Sequence, residues 1–217
     1  MDNQAGARQP YRIVTPPSAA TMACKRAFDV LCSFVGLTVL SPVLLVVSVL
    51  VAVTSPGGVF FRQERIGKDG RPFRIFKFRS MRKDNAGLKI TTGNDSRITP
   101  VGRFLRKSKI DELPQLINVL VGDMSFVGPR PEVADYVNLY TPYQRQVLLV
   151  RPGITGLASI RFRNENDLLT ASDDPNRTYV EQIMPRKIDL DLEYIPHASV
   201  FYDIKLIFQT FAVVIKE

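Results

Sequence analysis

The chain of 217 residues contains a single histidine, two cysteines and no tryptophan. One histidine, His197, excludes a metal site built from several histidines. A Ser-His-Asp or Cys-His site would have to use that same residue, and beside Pro196 it reads as a surface or packing residue. Cys24 and Cys32 fit neither a zinc pattern nor a CxxC redox pair, and two cysteines make no disulfide framework. A reducing compartment is the simpler reading. If the chain is an enzyme, its reactive groups are expected to be carboxylates and basic residues, with or without a metal held by oxygen ligands.

Charge is also absent where it matters. From Val30 to Phe61 no residue carries a formal charge. Residues 1–61 hold 4 basic and 2 acidic groups, residues 62–112 hold 15 and 6, and residues 113–217 hold 10 and 13. The net charge of +8 is thus concentrated in a basic block directly after the uncharged stretch.

Val30–Val53 would form a helix roughly 36 Å long, enough to cross a hydrocarbon core of about 30 Å. Two features argue for a different course. Pro42 removes a hydrogen bond to Thr38 and its ring clashes there, so the helix must kink, with the Ser41 and Thr38 hydroxyls available to satisfy freed backbone groups. Both flanks are positive, with Lys25 and Arg26 before and Arg62, Arg65 and Lys68 after, so a spanning helix would leave one cationic flank on the wrong side. A helix that bends at Ser41-Pro42 and returns to the same face avoids this. A kinked spanning helix is the competing reading, and the residues leave both open.

Residues 1–22 read as a mobile tail with no signal-peptide pattern, and no further membrane helix is expected within them. After Gly57-Gly58, Val59–Phe61 and Phe73–Phe78 predict two short strands joined by a turn through Lys68-Asp69-Gly70, with Ile75 and Phe76 spoiling a clean alternation. Residues 84–99 predict a loop, and Val101–Ser108 a short basic helix. Asp111 is expected to cap a helix whose apolar face is Leu113, Leu116, Ile117 and Leu120, with Gly122 as its stop. Residues 122–132 and 151–156 predict glycine- and proline-rich loops, and Pro142–Val150 a helix. Residues 161–180 read as polar and irregular. Tyr202–Ile215 predicts an apolar helix with Asp203, Lys205 and Gln209 on its polar side.

Asp111-Glu112 is the candidate reactive pair. It follows Arg103, Arg106, Lys107 and Lys109, where positive charge and a helix N-terminus favour an ionised carboxylate suited to act as nucleophile or magnesium ligand. Plain helix capping explains the same two residues. The basic block with Phe73, Phe76 and Phe78 fits phosphates or anionic headgroups, and less well nucleic acid, given the adjoining apolar segment. Gly128-Pro129-Arg130-Pro131 displays an arginine on a stiff loop, either for a phosphate or as a helix cap.

The ordered set of motifs is more specific than any one of them. It comprises Lys25-Arg26 with Asp29, Ser41-Pro42, Gln63-Glu64-Arg65 with Gly67, Phe76-Lys77-Phe78-Arg79-Ser80-Met81, and Ile110-Asp111-Glu112-Leu113-Pro114-Gln115-Leu116 with Asn118-Val119. Gly122 to Pro131 and Val150 to Gly156 complete it. Over roughly residues 24–160, and more weakly in the C-terminal helix, the chain resembles the monotopic phosphoglycosyl transferases, the bacterial sugar transferase family.

The resemblance implies a helix-rich α/β protein of the α+β kind. Its expected parts are a tail at 1–22, a re-entrant membrane helix-break-helix at 23–56 pivoting on Ser41-Pro42, and a small cytoplasmic catalytic domain at 57–217 with a short β-hairpin and interfacial helices. It implies that Asp111 and Glu112 are catalytic and that Asp111 attacks the β-phosphorus of a UDP-sugar, expelling UMP. The phosphosugar then passes to undecaprenyl phosphate with help from Mg2+ touching Asp111. Arg106, Arg130, Lys77 and Arg79 are implied phosphate or nucleotide ligands, and Lys25 and Arg26 headgroup contacts. The implied location is the cytoplasmic face of the bacterial inner membrane, with no nucleic-acid partner; monomer and homodimer are both open. The chain departs from the family at Gly156-Leu157-Ala158-Ser159 and in 161–180, which leaves the sugar open. A membrane-anchored binding protein without catalysis, in which Asp111 is dispensable, and a phosphatase using water as acceptor are the competing functions.

Overall fold

The computed structural model describes residues 13–55, 57–82 and 97–215. Residues 1–12 of the expected tail, and residues 84–96 of the expected loop, lie outside the described residues. Helix α1 spans Ala19–Thr54, with the Ser18 side chain accepting the Thr21 amide at 3.2 Å as its N-cap. The expected tail is therefore helical from residue 19. Val14 is buried in the core, and its amide donates to Gln146 Oε1 at 2.7 Å. Where a helix-break-helix was expected, α1 continues through Pro42. The Ser41 hydroxyl donates to Thr38 O at 2.7 Å and replaces the amide that proline lacks, so the backbone keeps its satisfaction without breaking.

Strands β1 (Phe60–Ile66) and β2 (Pro72–Phe78) pair antiparallel, Phe60 opposite Phe78 and Ile66 opposite Pro72. The turn between them puts Asp69 and Gly70 at positive φ, 58° and 73°. The imperfect alternation of β2 has a packing cause. Ile75 joins Val119 and Met124 on one face of the hairpin, while Phe78 joins Val47, Val51 and Leu105 on the other. Both faces are covered, so apolar residues are needed on both.

Helix α2 is Pro100–Lys107, capped by Thr99, which accepts the Gly102 amide at 2.9 Å. A 3-10 turn at Ile110–Glu112 leads to α3 (Gln115–Val121). The two expected loops carry short strands, β3 (Ser125–Val127) and β4 (Gly153–Thr155), which pair in parallel. Between them lie α4 (Ala134–Val137) and, where a helix was expected over Pro142–Val150, a 3-10 helix at Gln144–Leu149. Helix α5 (Leu157–Arg161) follows β4, and the region read as irregular, 161–180, forms α6 (Glu165–Thr170) and α7 (Pro175–Thr178). A π-helical turn, Tyr179–Ile183, continues into α8 (Met184–Tyr194), and α9 spans Val200–Ile215. The main core gathers around α8 through Met184, Ile188, Leu192 and Tyr194, which meet Val127, Tyr136, Val147 and Leu206.

Helix α1 is fastened at its N-terminal end by polar side chains one turn apart, Lys25, Asp29 and Ser33, all buried. The Lys25 ammonium pairs with Asp203 of α9 and donates to Ser125 Oγ at 3.0 Å and Val127 O at 3.1 Å. Asp203 also accepts the Tyr194 hydroxyl at 2.7 Å. This corrects two expectations. Lys25 is an interior residue and not a headgroup contact, and Asp203 faces the core, leaving Phe201, Phe208 and Phe211 exposed beside Lys205 and Gln209 on α9. Arg26 donates to Val119 O at 2.5 Å and Leu120 O at 2.8 Å, capping the C-terminal carbonyls of α3. Toward its C-terminal end α1 presses Val47 and Val51 onto Phe78 and Leu105, while Leu31, Phe34, Val39, Leu45, Val46 and Val53 stay exposed.

Breaking a buried ion pair leaves an uncompensated charge, so Lys25→Met is expected to cost about 3–5 kcal/mol. The double variant Lys25→Met/Asp203→Leu is expected to regain most of it, measured by unfolding in detergent. Equal losses in the single and double variants would contradict the assignment.

Candidate functional site: a carboxylate pair among cations

Lys109 adopts left-handed backbone angles, φ 57° and ψ 13°, and starts the tight turn that carries Asp111 and Glu112. Left-handed lysine is strained, which makes the turn a costly feature held by its surroundings. Asp111 was expected to cap α3. Instead the residue at that boundary is Pro114, with no side-chain cap, and Asp111 lies within the preceding 3-10 turn. Its carboxylate is thereby freed from a capping role. It is 8 % exposed, and its Oδ1 has no hydrogen-bond partner. Two other buried polar atoms among the described residues lack partners, Ser55 Oγ and Arg65 Nε, but Asp111 alone is an acid.

The turn is positioned by three contacts. Asn118, fully buried on α3, accepts the Phe76 amide at 2.9 Å and donates to Arg74 O at 2.8 Å, clamping β2 against α3. Gly102 lets α2 approach the end of β2, since a Cβ there would lie 2.0 Å from Ser80 O. Lys77 of β2 reaches Glu112, Nζ to Oε1 at 2.6 Å.

The two acids titrate in opposite directions. Burial, then the neighbouring Glu112 charge, push Asp111 up to about 6, against the pull of Lys77, Arg106 and Lys109. The sequence reading, that positive charge would favour an ionised Asp111, underestimated this desolvation. Burial acts to raise Glu112 as well, but the charges of Lys77 and Arg130 and the Lys77 hydrogen bond outweigh it and hold Glu112 at about 2. Glu112 in turn raises Arg130, whose Nη2 lies 3.7 Å from Glu112 Oε1.

Of the expected ligands, Lys77, Arg106 and Arg130 therefore gather at the pair. Arg106 acts on Asp111 by charge, while its Nη1 lies 3.5 Å from Met81 Sδ. Arg79 goes elsewhere: its guanidinium donates to the carbonyls of Gly58, Gly57 and Phe60 at 2.8–3.1 Å and ties down the segment leaving α1. Ser41 and Pro42 are exposed in mid-helix. Among the described residues no three His, Cys, Asp or Glu side chains cluster as a metal cage.

The Arg130 loop is braced on every side. Gly128 N donates to Thr155 O at 3.0 Å and Gly153 N to Pro129 O at 2.9 Å. A Cβ at Gly153 would lie 2.1 Å from Gly128 N, so the β3–β4 contact tolerates no side chain there. Beyond Arg130, Ile66 N donates to Glu132 O at 2.8 Å and Arg65 Nη1 to Pro131 O at 3.2 Å. The Glu132 carboxylate accepts the Tyr179 hydroxyl. Burial and the Glu132 charge keep that hydroxyl protonated, so it remains a donor. The sequence reading missed Glu132 and Tyr179. Glu132 directly follows the quoted Pro-Arg-Pro motif, which was the available signal; Tyr179 had none. It missed Asp191 of α8 too, which is buried and pushed up to about 8 by desolvation, against the opposing effects of Lys187 and the Ala158 and Arg130 amides.

The raised Asp111 carries a stability signature. With a folded value of about 6 above the unfolded 3.8, protonation stabilises the fold fully below pH 4, and this contribution is lost as pH rises through 6. The difference corresponds to about 3 kcal/mol. Asp111→Asn is therefore expected to be more stable than the parent at pH 8 by up to that amount, and equal to it near pH 4, in denaturation curves across pH. A variant less stable at pH 8 would refute the strained-acid assignment.

The family model described as bacterial sugar transferase matches residues 20–217. The chain is 42 % identical over 202 residues to UDP-glucose:undecaprenyl-phosphate glucose-1-phosphate transferase of Escherichia coli (strain K12), covering 90 % of this chain and 41 % of that protein. It is 38 % identical over 199 residues to UDP-N-acetylgalactosamine-undecaprenyl-phosphate N-acetylgalactosaminephosphotransferase of Aeromonas hydrophila, covering 89 % and 44 %. The exopolysaccharide production protein PSS of Rhizobium leguminosarum bv. phaseoli is 40 % identical over 199 residues, covering 87 % of this chain and 94 % of that protein. The chain thus spans less than half the length of the first two relatives and nearly all of the third. A match over almost the whole chain, with Asp111, Glu112 and Arg130 brought to one place, establishes that the chain belongs to the bacterial sugar transferase family.

Proposed function

We propose that the chain transfers a sugar 1-phosphate from a UDP-sugar to undecaprenyl phosphate, by way of a phosphosugar bound to Asp111. The observation that carries this reading is the buried Asp111 oxygen without a partner, facing an arc of cations. The names of the relatives supply the substrate classes.

In the first step an Asp111 carboxylate oxygen forms a bond to the β-phosphorus of the diphosphate. The bond from that phosphorus to the bridging oxygen breaks, and UMP leaves with the electron pair. In the second step an oxygen of the acceptor phosphate bonds to the same phosphorus, and Asp111 departs as a carboxylate, leaving a polyprenyl diphosphate sugar. Such transfers depend on positioning and charge neutralisation. Arg106 and Arg130 supply both. Glu112, held ionised by Lys77 and Arg130, is too weak a base to take a proton, and we assign it to anchoring those cations. The site's donors fit Mg2+, which commonly uses one or two carboxylates and completes its shell with substrate phosphates and water. Asp111 would hold it through one carboxylate oxygen and leave the other for the attack, and the ion when bound would neutralise diphosphate charge.

The membrane placement rests on α1. A straight helix of 36 residues is about 54 Å long, well beyond a hydrocarbon core. Lys25 at one end and Val51 at the other both rest on the same catalytic body, and the intervening apolar side chains are exposed. This supports a helix that enters one leaflet, bends at Pro42 and keeps both ends on the cytoplasmic face of the inner membrane.

Two experiments test these readings. Protein incubated with Mg2+ and UDP-glucose, or with UDP-sugars from a panel, is expected to gain one phosphosugar by intact mass in the absence of lipid. Asp111→Asn is expected to abolish the adduct and to lower UMP release at least about 10⁴-fold, with Arg130→Ala milder at about 10²–10³-fold. Turnover without any adduct would favour direct transfer, and undiminished turnover in Asp111→Asn would remove the nucleophile. For topology, cysteine reporters at Ser18 and Asp69, in a Cys24→Ser/Cys32→Ser background, are expected to be labelled from the same face; labelling from opposite faces would establish a spanning helix.

A further inference from the structure

We propose that the outer face of α2, formed by Arg103, Phe104 and Lys107, receives the phosphate end of the polyprenol phosphate acceptor. This rests on the transferase reading and concerns its second step alone. Helix α2 has one committed side. Gly102 packs against the Ser80 backbone, and Leu105, 1 % exposed, lies against Val47 and Val51 of α1. The remaining side presents Arg103, Phe104 and Lys107 to the exterior, with Phe104 64 % exposed. An exposed phenylalanine between two cations has no role in the core. It matches the boundary between hydrocarbon and phosphate, where aromatic rings and basic side chains concentrate.

The position of this face selects the ligand. Helix α2 packs on α1 through Leu105, Val47 and Val51, so the exposed Phe104 lies on a helix seated against the segment whose Leu45, Val46, Val49, Leu50 and Val53 are also exposed. Arg106, on the adjoining side of the same helix, acts on Asp111 by charge, as does the exposed Lys109 just beyond it. The face therefore joins an apolar surface to the reacting carboxylate. The cations Lys77 and Arg130 are already engaged by Glu112. Arg103 and Lys107 have no carboxylate partner among the described residues, which leaves them for a mobile phosphate. A phosphate monoester carries nearly two negative charges at pH 7, so two cations and an apolar neighbour complement the head and first isoprene unit of such a lipid.

Separating the half-reactions tests the proposal. Arg103→Gln/Lys107→Gln and Phe104→Ala alter exposed residues and are expected to fold. Formation of the Asp111 adduct from UDP-sugar without lipid is expected to stay within about twofold of the parent. The KM for undecaprenyl phosphate in neutral detergent micelles is expected to rise about tenfold in the charge variant, as for loss of a charge-assisted contact, and several-fold in Phe104→Ala. An unchanged lipid KM would overturn the proposal, as would a slowed adduct step, which would put these residues on the nucleotide side. Loss of binding to phosphatidylglycerol vesicles in step with the KM change would also overturn it, since general membrane attachment would then explain the effect. Failure of the parent chain to form any adduct is a separate result and counts against the covalent mechanism itself.

Discussion

The buried ion pair between Lys25 and Asp203 ties the first helix of the chain to the last, and the same ammonium holds the Val127 carbonyl three residues before Arg130. Two charges out of water are expensive unless every remaining valence is used. Here Ser125, Val127 and Tyr194 use them. The consequence is geometric. The apolar helix is not an independent anchor on a flexible link, because it shares a network with the strand that leads into the Arg130 loop. The arginine loop and the apolar helix are built as one body.

A second constraint lies in the unequal treatment of two adjacent acids. Glu112 is compensated by Lys77 and Arg130 and stays ionised far below neutrality, whereas Asp111 is buried with one oxygen unmatched and titrates near 6. Above that pH the folded chain carries an ionised acid it would otherwise shed. Such a group is poorly explained by stability, and it suits the proposed reaction, which needs an electron-rich oxygen and then neutralises it by bonding to phosphorus. In the proposed reaction Glu112 would keep Lys77 and Arg130 in place while the charge on Asp111 changes.

Local rules in the sequence were sufficient for several elements and insufficient for others. The hairpin, the basic helix and the C-terminal helix were legible because turn residues and apolar spacing mark them within a few positions. The pairing of β3 with β4 was not, since three residues in a glycine- and proline-rich run look like a loop until the backbones of Gly128 and Gly153 meet. The helices α6 and α7, between residues 165 and 178, were missed for a related reason. They are short and polar, and they hold their form by packing onto the α8 core, not by intrinsic preference.

The sequence by itself determined the uncharged run, the basic block after it, and the ordered motifs that single out Asp111, Glu112, Arg106 and Arg130 as candidate functional residues. It could do so because those features are properties of neighbours along the chain. Only the tertiary structure decided that Lys25 and Arg26 face inward, that Arg79 fastens a loop, that Asp111 is no helix cap, and that Glu132 and Tyr179 support the arginine loop. Those outcomes depend on burial and on partners distant in sequence. Desolvation of a carboxylate, and the carbonyl a guanidinium will find, are set only when separate segments pack.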